Sequence, residues 1–298
     1  MTRRLVSLLL AVLATLSLAG CGDVRLETQD PPAAAPDAAE QHRQELALST
    51  QQLAADAGHA SSTADPDVAE LLGLIAADAQ VQLDALGGVW QPAGRHLAAG
   101  VPRGDAGDVL AQLSATAAVL REDAVEAGGD VAPLLAGISV SRSLRADQLG
   151  ALLGADPATL EPALPGSLDP STSVDLVRTV DAVGHGWEIS AARESGDAQQ
   201  TDAERAERWR SDAQELAMLA GVADTGDDPR DISYDLDTSD LPGAIASLRD
   251  ELMACWLAQV PSTDGEDRGS VIDLGLTAAR DSGMSEPGAV VPPIAGLA

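Results

Sequence analysis

An all-helical chain is what these 298 residues predict, and three observations carry that reading. Apolar residues recur at i, i+3, i+4 and i+7 through most of the sequence, with glycines and prolines punctuating the stripes. No sustained alternation of β-branched residues offers a strand. Aromatic residues make up only 2% of the chain, so the core must be built from Leu, Ala and Val, which favours close helix packing.

Taken in order, residues 1–20 read as a leader and not as a folded element. Arg3 and Arg4 supply a cationic start, and the uncharged, largely apolar run Leu5 to Leu18 is shorter than the roughly 20 residues a membrane-spanning helix needs. Leu18-Ala19-Gly20-Cys21 follows, and the whole leader resembles a bacterial lipoprotein signal. The resemblance implies cleavage before Cys21 and a thioether-linked diacylglycerol on its sulfur. The mature chain would then be anchored to the outer face of the cytoplasmic membrane. Each buried methylene contributes roughly 0.8 kcal/mol, so one acyl chain binds marginally whereas two or more hold. Residues 21–40 form the lipidated N-terminus and a tether. Asp30-Pro31-Pro32-Ala33-Ala34-Ala35-Pro36-Asp37 has no large apolar side chain to bury and is stiffened by its prolines.

The body then reads as eight helices. A weak pattern covers about 38 to 58. Val68, Leu71, Leu72, Ile75, Ala79, Leu83 and Leu86 form one stripe, with Asp65 as N-cap, Pro66 at the first helical position and Gly87-Gly88 at the end. Val109, Leu113, Ala117, Leu120 and Ala124 mark the third helix, and a weaker pattern at 131 to 154 the fourth. Leu176, Val177, Val180, Gly184, Trp187 and Ala191 mark the fifth; Ala206, Trp209, Ala213, Leu216 and Ala220 the sixth. Ile245, Leu248, Leu252, Cys255 and Trp256 mark the seventh, and a weak pattern at 268 to 283 the eighth. Corresponding ends recur at an offset of 138 residues (Gly58, Gly196) and 134 residues (Gly87, Gly221), which suggests a duplication of four helices. Pro157, Pro162, Pro165 and Pro170 interrupt any helix between the halves. The expected organisation is a first bundle at 41–155, a linker at 156–171 and a second bundle at 172–298.

Three segments of the second half carry a family resemblance: Arg205-Ala206-Glu207-Arg208-Trp209-Arg210-Ser211-Asp212, Pro229-Arg230-Asp231-Ile232-Ser233-Tyr234-Asp235-Leu236, and Pro292-Pro293-Ile294-Ala295-Gly296-Leu297. With them, residues 172 to 298 resemble a ferritin-like domain family of unknown function common in actinobacterial proteins. The resemblance implies an up-down four-helix bundle with one long crossover for that half, and the duplication extends the expectation to two tandem ferritin-like four-helix bundles. A di-iron site in such a bundle needs a Glu from each of two helices and Glu-x-x-His from each of the other two. The chain contains no Glu-x-x-His. It has the reversed His185-Gly186-Trp187-Glu188, with Gly184 where related sequences carry a Glu, and Arg208-Trp209-Arg210 in place of the family's second-helix histidine. His42, His59, His96 and His185 form no ligand pair in sequence, so no metal is expected.

Other chemistry is also poorly provided for. There is no Gly-x-Ser-x-Gly elbow, and without lysine there is no phosphate-binding Gly-Lys loop. Gly226-Asp227-Asp228-Pro229-Arg230-Asp231 lacks the spacing of a calcium loop and reads as solvated. With Cys21 acylated, Cys255 has no disulfide partner and reads as a small buried hydrophobe. The chain has no Lys, Asn or Phe, residues with AT-rich codons, which points to a GC-rich bacterial genome. Its net charge of −29 argues against nucleic-acid partners and against docking of the body on anionic lipid. The expected function is therefore a lipid-anchored, noncatalytic helical module that binds an envelope protein or other ligand. The alternatives are a small-molecule or metal carrier with Trp187, Trp209 and Trp256 lining a bundle interior, and a descendant of ferritin-like oxidases. No cofactor and no catalytic residue are expected.

Overall fold

The computed structural model describes residues 36–91, 100–155 and 159–296; the leader, Cys21, most of the tether and His96 lie outside them. The described residues contain eight α-helices and no strand: α1 Ala38–Ser61, α2 Pro66–Ala85, α3 Ala106–Glu126, α4 Val131–Leu153, α5 Val174–Arg193, α6 Asp197–Leu219, α7 Leu241–Leu257 and α8 Gly265–Asp281. The all-helical class holds. The described residues from His42 onward belong to one compact unit.

Local signals set the ends. Asp65 caps α2 in extended conformation ahead of Pro66, and the chain leaves that helix through Gly87 at φ +84, a left-handed turn that side chains resist. Asp105 and Asp108 form a reciprocal capping box on α3, each carboxylate accepting the other residue's N–H. The guanidinium of Arg268 on α8 caps the far end of α3, donating to the carbonyls of Ala124 (3.2 Å), Val125 (3.1 Å) and Ala127.

One apolar cluster joins α1 to α4 through Leu53, Leu72, Ile75, Leu113 and Leu149. The largest cluster draws on both the 41–155 and the 172–298 segments. Leu120, Ile138 and Leu144 of the first half pack in the same core as Leu176, Leu216, Trp256 and Ile272 of the second. The stretch between the halves does not hang free. Leu168 is buried in that core, its N–H donates to the carbonyl of Leu219 (3.2 Å), and the Gly166 N–H donates to Asp267 (2.8 Å).

The physical reason for the shared core is α4, which is buried on nearly every side. Most of its buried polar side chains find partners inside the protein, the hydroxyl of Ser141 being the exception. Arg142 donates to Gln82 (2.9 Å) and Thr50 (2.7 Å), Arg145 pairs with Asp78 (2.7 Å), and Asp147 pairs with Arg280 (2.8 Å). Burial away from any carboxylate pushes the Arg142 guanidinium down to about 10.

A non-helical strap, residues 284–296, closes over α4. Gln148 Nε2 lies 3.0 Å from the carbonyls of Met284, Glu286 and Ala289, and its two N–H groups are shared among them. Gln82 donates to the carbonyl of Pro293 (2.8 Å), and the Ala295 N–H donates to the carbonyl of Gly137 (3.1 Å). A Cβ on Gly137 would lie 2.4 Å from the Ala295 carbonyl oxygen and 2.8 Å from Ile294. Gly137→Ala is therefore expected to lift the end of the strap and cost about 1–3 kcal/mol, the usual penalty of overpacking. Chemical denaturation reads the loss, and faster proteolysis after residue 284 locates it.

Candidate functional site

The densest polar constellation in the second half is built on one face of α5. Asp181, His185 and Glu188 follow i, i+4, i+7 spacing and so point the same way. Arg210 of α6 reaches into them: Nη1 is 2.6 Å from Asp181, Nε donates to Glu188 Oε1 (3.0 Å) and Nη2 to Oε2 (2.9 Å). His185 Nδ1 lies 3.2 Å from Glu188, and its ring is 5.8 Å from that of Tyr234. Tyr234 arrives from the crossover between α6 and α7, donating to Asp181 (2.8 Å) while accepting the N–H of Asp231 (3.0 Å). The bare Gly184 leaves room for Arg210, because a Cβ there would sit 3.1 Å from the Arg210 side chain and 3.2 Å from its backbone nitrogen.

Electrostatically the cluster is saturated. Hydrogen bonds from Arg210 hold the Glu188 carboxyl below the usual range, and those same bonds, with Asp181, raise the guanidinium above its own. Burial and then the bond to Asp181 push the Tyr234 phenol up. On the crossover, Asp228 is held well below the carboxylate range by Arg230 at 2.6 Å, so the acidic run around it is braced from within. Among the described residues no three His, Cys, Asp or Glu side chains gather so as to hold a metal ion.

Glu188 and Asp228, both depressed, contribute stability that is fully present above the ordinary carboxylate pKa near 4 and lost as pH falls through their folded values. Asp78, raised by burial, works in the opposite sense. The Glu188→Gln variant is therefore expected to lose less thermal stability than the parent between about pH 5 and pH 3, the window around the ordinary carboxylate pKa. Melting curves of the two proteins across that window decide it.

The tryptophans separate. Trp187 carries the Arg205 guanidinium 4.7 Å from its ring centre. Trp209 and Trp256 instead line one cavity of about 310 Å³. A larger groove, about 520 Å³, lies between α3, α4 and α8, with Leu110, Ala117, Val140, Ala146, Ile272 and Leu276 on its walls. Two ion pairs, Arg121 with Asp273 (2.6 Å) and Asp147 with Arg280 (2.8 Å), frame it. Cys255 is half-buried with its sulfur 3.9 Å from Thr179 Oγ1, and burial pushes its thiol up, away from the reactive thiolate.

No match is returned when the chain is compared with protein families, curated proteins and solved structures. Its own geometry is what speaks to function. Among the predicted residues, Cys21 lies outside the described part and His185 joins a polar cluster. Sequence reasoning singled out His185 and Glu188 but missed Asp181, Arg210 and Tyr234 as their partners. The helical spacing of 181, 185 and 188 was the available signal. That Arg210 and Tyr234 would meet them depends on a crossover whose path no local pattern gives.

Proposed function

We propose that the chain is a lipid-anchored envelope protein, held at the outer face of the cytoplasmic membrane through acyl chains on Cys21, and that its helical body is a noncatalytic binding module. The leader anatomy supports the anchor. The observation that carries the binding role is the open groove between α3, α4 and α8, apolar along its walls and framed by paired charges that orient a partner without steering toward either sign. Those carboxylates are committed to arginines and so are poor general acids or bases.

Two variants test the halves of this reading. Cys21→Ser is expected to move the protein from the membrane to the soluble fraction, and unchanged fractionation refutes the anchor. Ala118→Trp places an indole at the exposed rim of the groove. It is expected to abolish retention of a partner that the parent captures from solubilised membranes. A partner held equally by both proteins removes the groove from the proposal, and no partner at all removes the binding role.

We also infer that the two halves descend from one ferritin-like four-helix unit. Helix starts at 38, 66, 106 and 131 recur at 174, 197, 241 and 265, offsets of 136, 131, 135 and 134. In each half the one long connection falls between its second and third helices, the crossover of that architecture. A carrier role is the second reading, favoured by the cavity that Trp209 and Trp256 share.

A further inference from the structure

The cavity between α5, α6, α7 and α8 combines features that the groove lacks. Its floor is apolar, with Val180, Leu216, Leu252 and Leu274, and two of the four tryptophans of the chain, Trp209 and Trp256, stand in its wall. Trp256 is 7% exposed, so its indole is part of the core as well as of the cavity. At the rim lie two exposed carboxylates, Asp212 and Asp281. Neither belongs to an ion pair among the described residues. The single cation on the lining, Arg249, spends a donor on the backbone carbonyl of Asp281.

We propose that this cavity binds a small organic cation, an alkylammonium or quaternary ammonium group seated between Trp209 and Trp256 with its charge toward Asp212 and Asp281. The chemistry selects that class on three grounds. Indole surfaces attract cations through the ring quadrupole, most strongly where water is excluded. The apolar floor accepts methyl and methylene groups that a hydrated metal ion does not offer. Two carboxylates against one guanidinium disfavour an anion, and the net charge of −29 draws cations toward the surface. Partial desolvation at the rim and the neighbouring Glu215 raise the Asp212 carboxyl against the pull of Arg208, and an incoming ammonium would favour its charged form. A cavity of about 310 Å³ suits a headgroup and a short body and is too small for a folded partner.

The inference is independent of the groove and of the anchor, so its failure leaves both standing. The test uses the full chain in detergent and three isosteres: choline, the neutral 3,3-dimethylbutan-1-ol and the anionic 3,3-dimethylbutanoate, each titrated by tryptophan fluorescence. Choline is expected to bind at least about tenfold more tightly than either isostere, a difference of about 1.4 kcal/mol. Asp212→Asn, at the exposed rim, is expected to narrow that preference while leaving the circular dichroism spectrum unchanged, and Trp256→Leu to abolish the signal. Trp187→Leu, outside the cavity, is expected to leave binding intact. Equal affinity for choline and its neutral isostere overturns the cation selectivity. Binding of the anion, no binding of any probe, or loss of binding only in Trp187→Leu overturns the site.

Discussion

Replacing Arg145 with leucine is expected to destabilise the protein by about 3–5 kcal/mol, the cost of breaking a buried ion pair by removing one partner. Arg145 and Asp78 are both largely shielded from water, and the guanidinium also serves Gln148 (2.9 Å) and the carbonyl of Val291 (3.3 Å). Without it, Asp78 keeps its desolvation and loses its counter-charge. The pair is not expected to be a net source of stability, however. Burial raises the Asp78 carboxyl despite an arginine at 2.7 Å, so desolvation outweighs attraction. Asp78→Leu combined with Arg145→Leu is therefore expected to recover most of the loss, since apolar replacement of a buried pair is often neutral or better. Urea unfolding of the single and double variants measures both numbers. A double variant as unstable as Arg145→Leu would mean that the bonds to Gln148 and Val291 matter more than the charge.

The second large effect is expected at Arg210. Arg210→Ala removes the cation from Asp181, whose side chain is only 4% exposed, and from Glu188 at once. Tyr234 still donates to Asp181, which holds the expected loss near the lower end for a buried carboxylate, about 3 kcal/mol. Adding Tyr234→Phe strips the last donor. The two losses should couple instead of adding, because they act on one carboxylate. Arg210→Lys keeps a charge but not the fork that spans two acids, so it should restore only part of the stability. Denaturation of the four proteins gives the coupling, and strict additivity would argue that Tyr234 and Arg210 act separately.

Legibility in the sequence followed exposure. Helices with one wet face, such as α2 with its stripe from Val68 to Leu86, announced themselves through their apolar period. The fourth helix gave only a weak pattern although it is the most enclosed, because burial all round leaves no polar face to set the period. Nothing local marks its Arg142, Arg145 and Gln148 as interior, because the partners that accommodate them lie 60 or more residues away. The same blindness hides the core that the two halves share. Repeated helix order was visible in the glycine spacing, but a core shared by Leu144 and Leu176 leaves no local trace. At the polar cluster, the arginine-rich stretch of α6 was noticed as a motif. That Gly184 opens space for one of those arginines became apparent only in three dimensions.

The strap over α4 sets the order in which the molecule can be completed. Gln82, Gly137, Arg145 and Gln148 wait for backbone partners that the ribosome delivers only at residues 284–296. A nascent chain that has already released its first four helices thus carries unsated donors, an unsated carbonyl at Gly137 and a greasy seam with nothing yet to cover them, the kind of intermediate that sticks to its neighbours. Synthesis from the amino end means that residues 284–296 emerge long after the helices they finish.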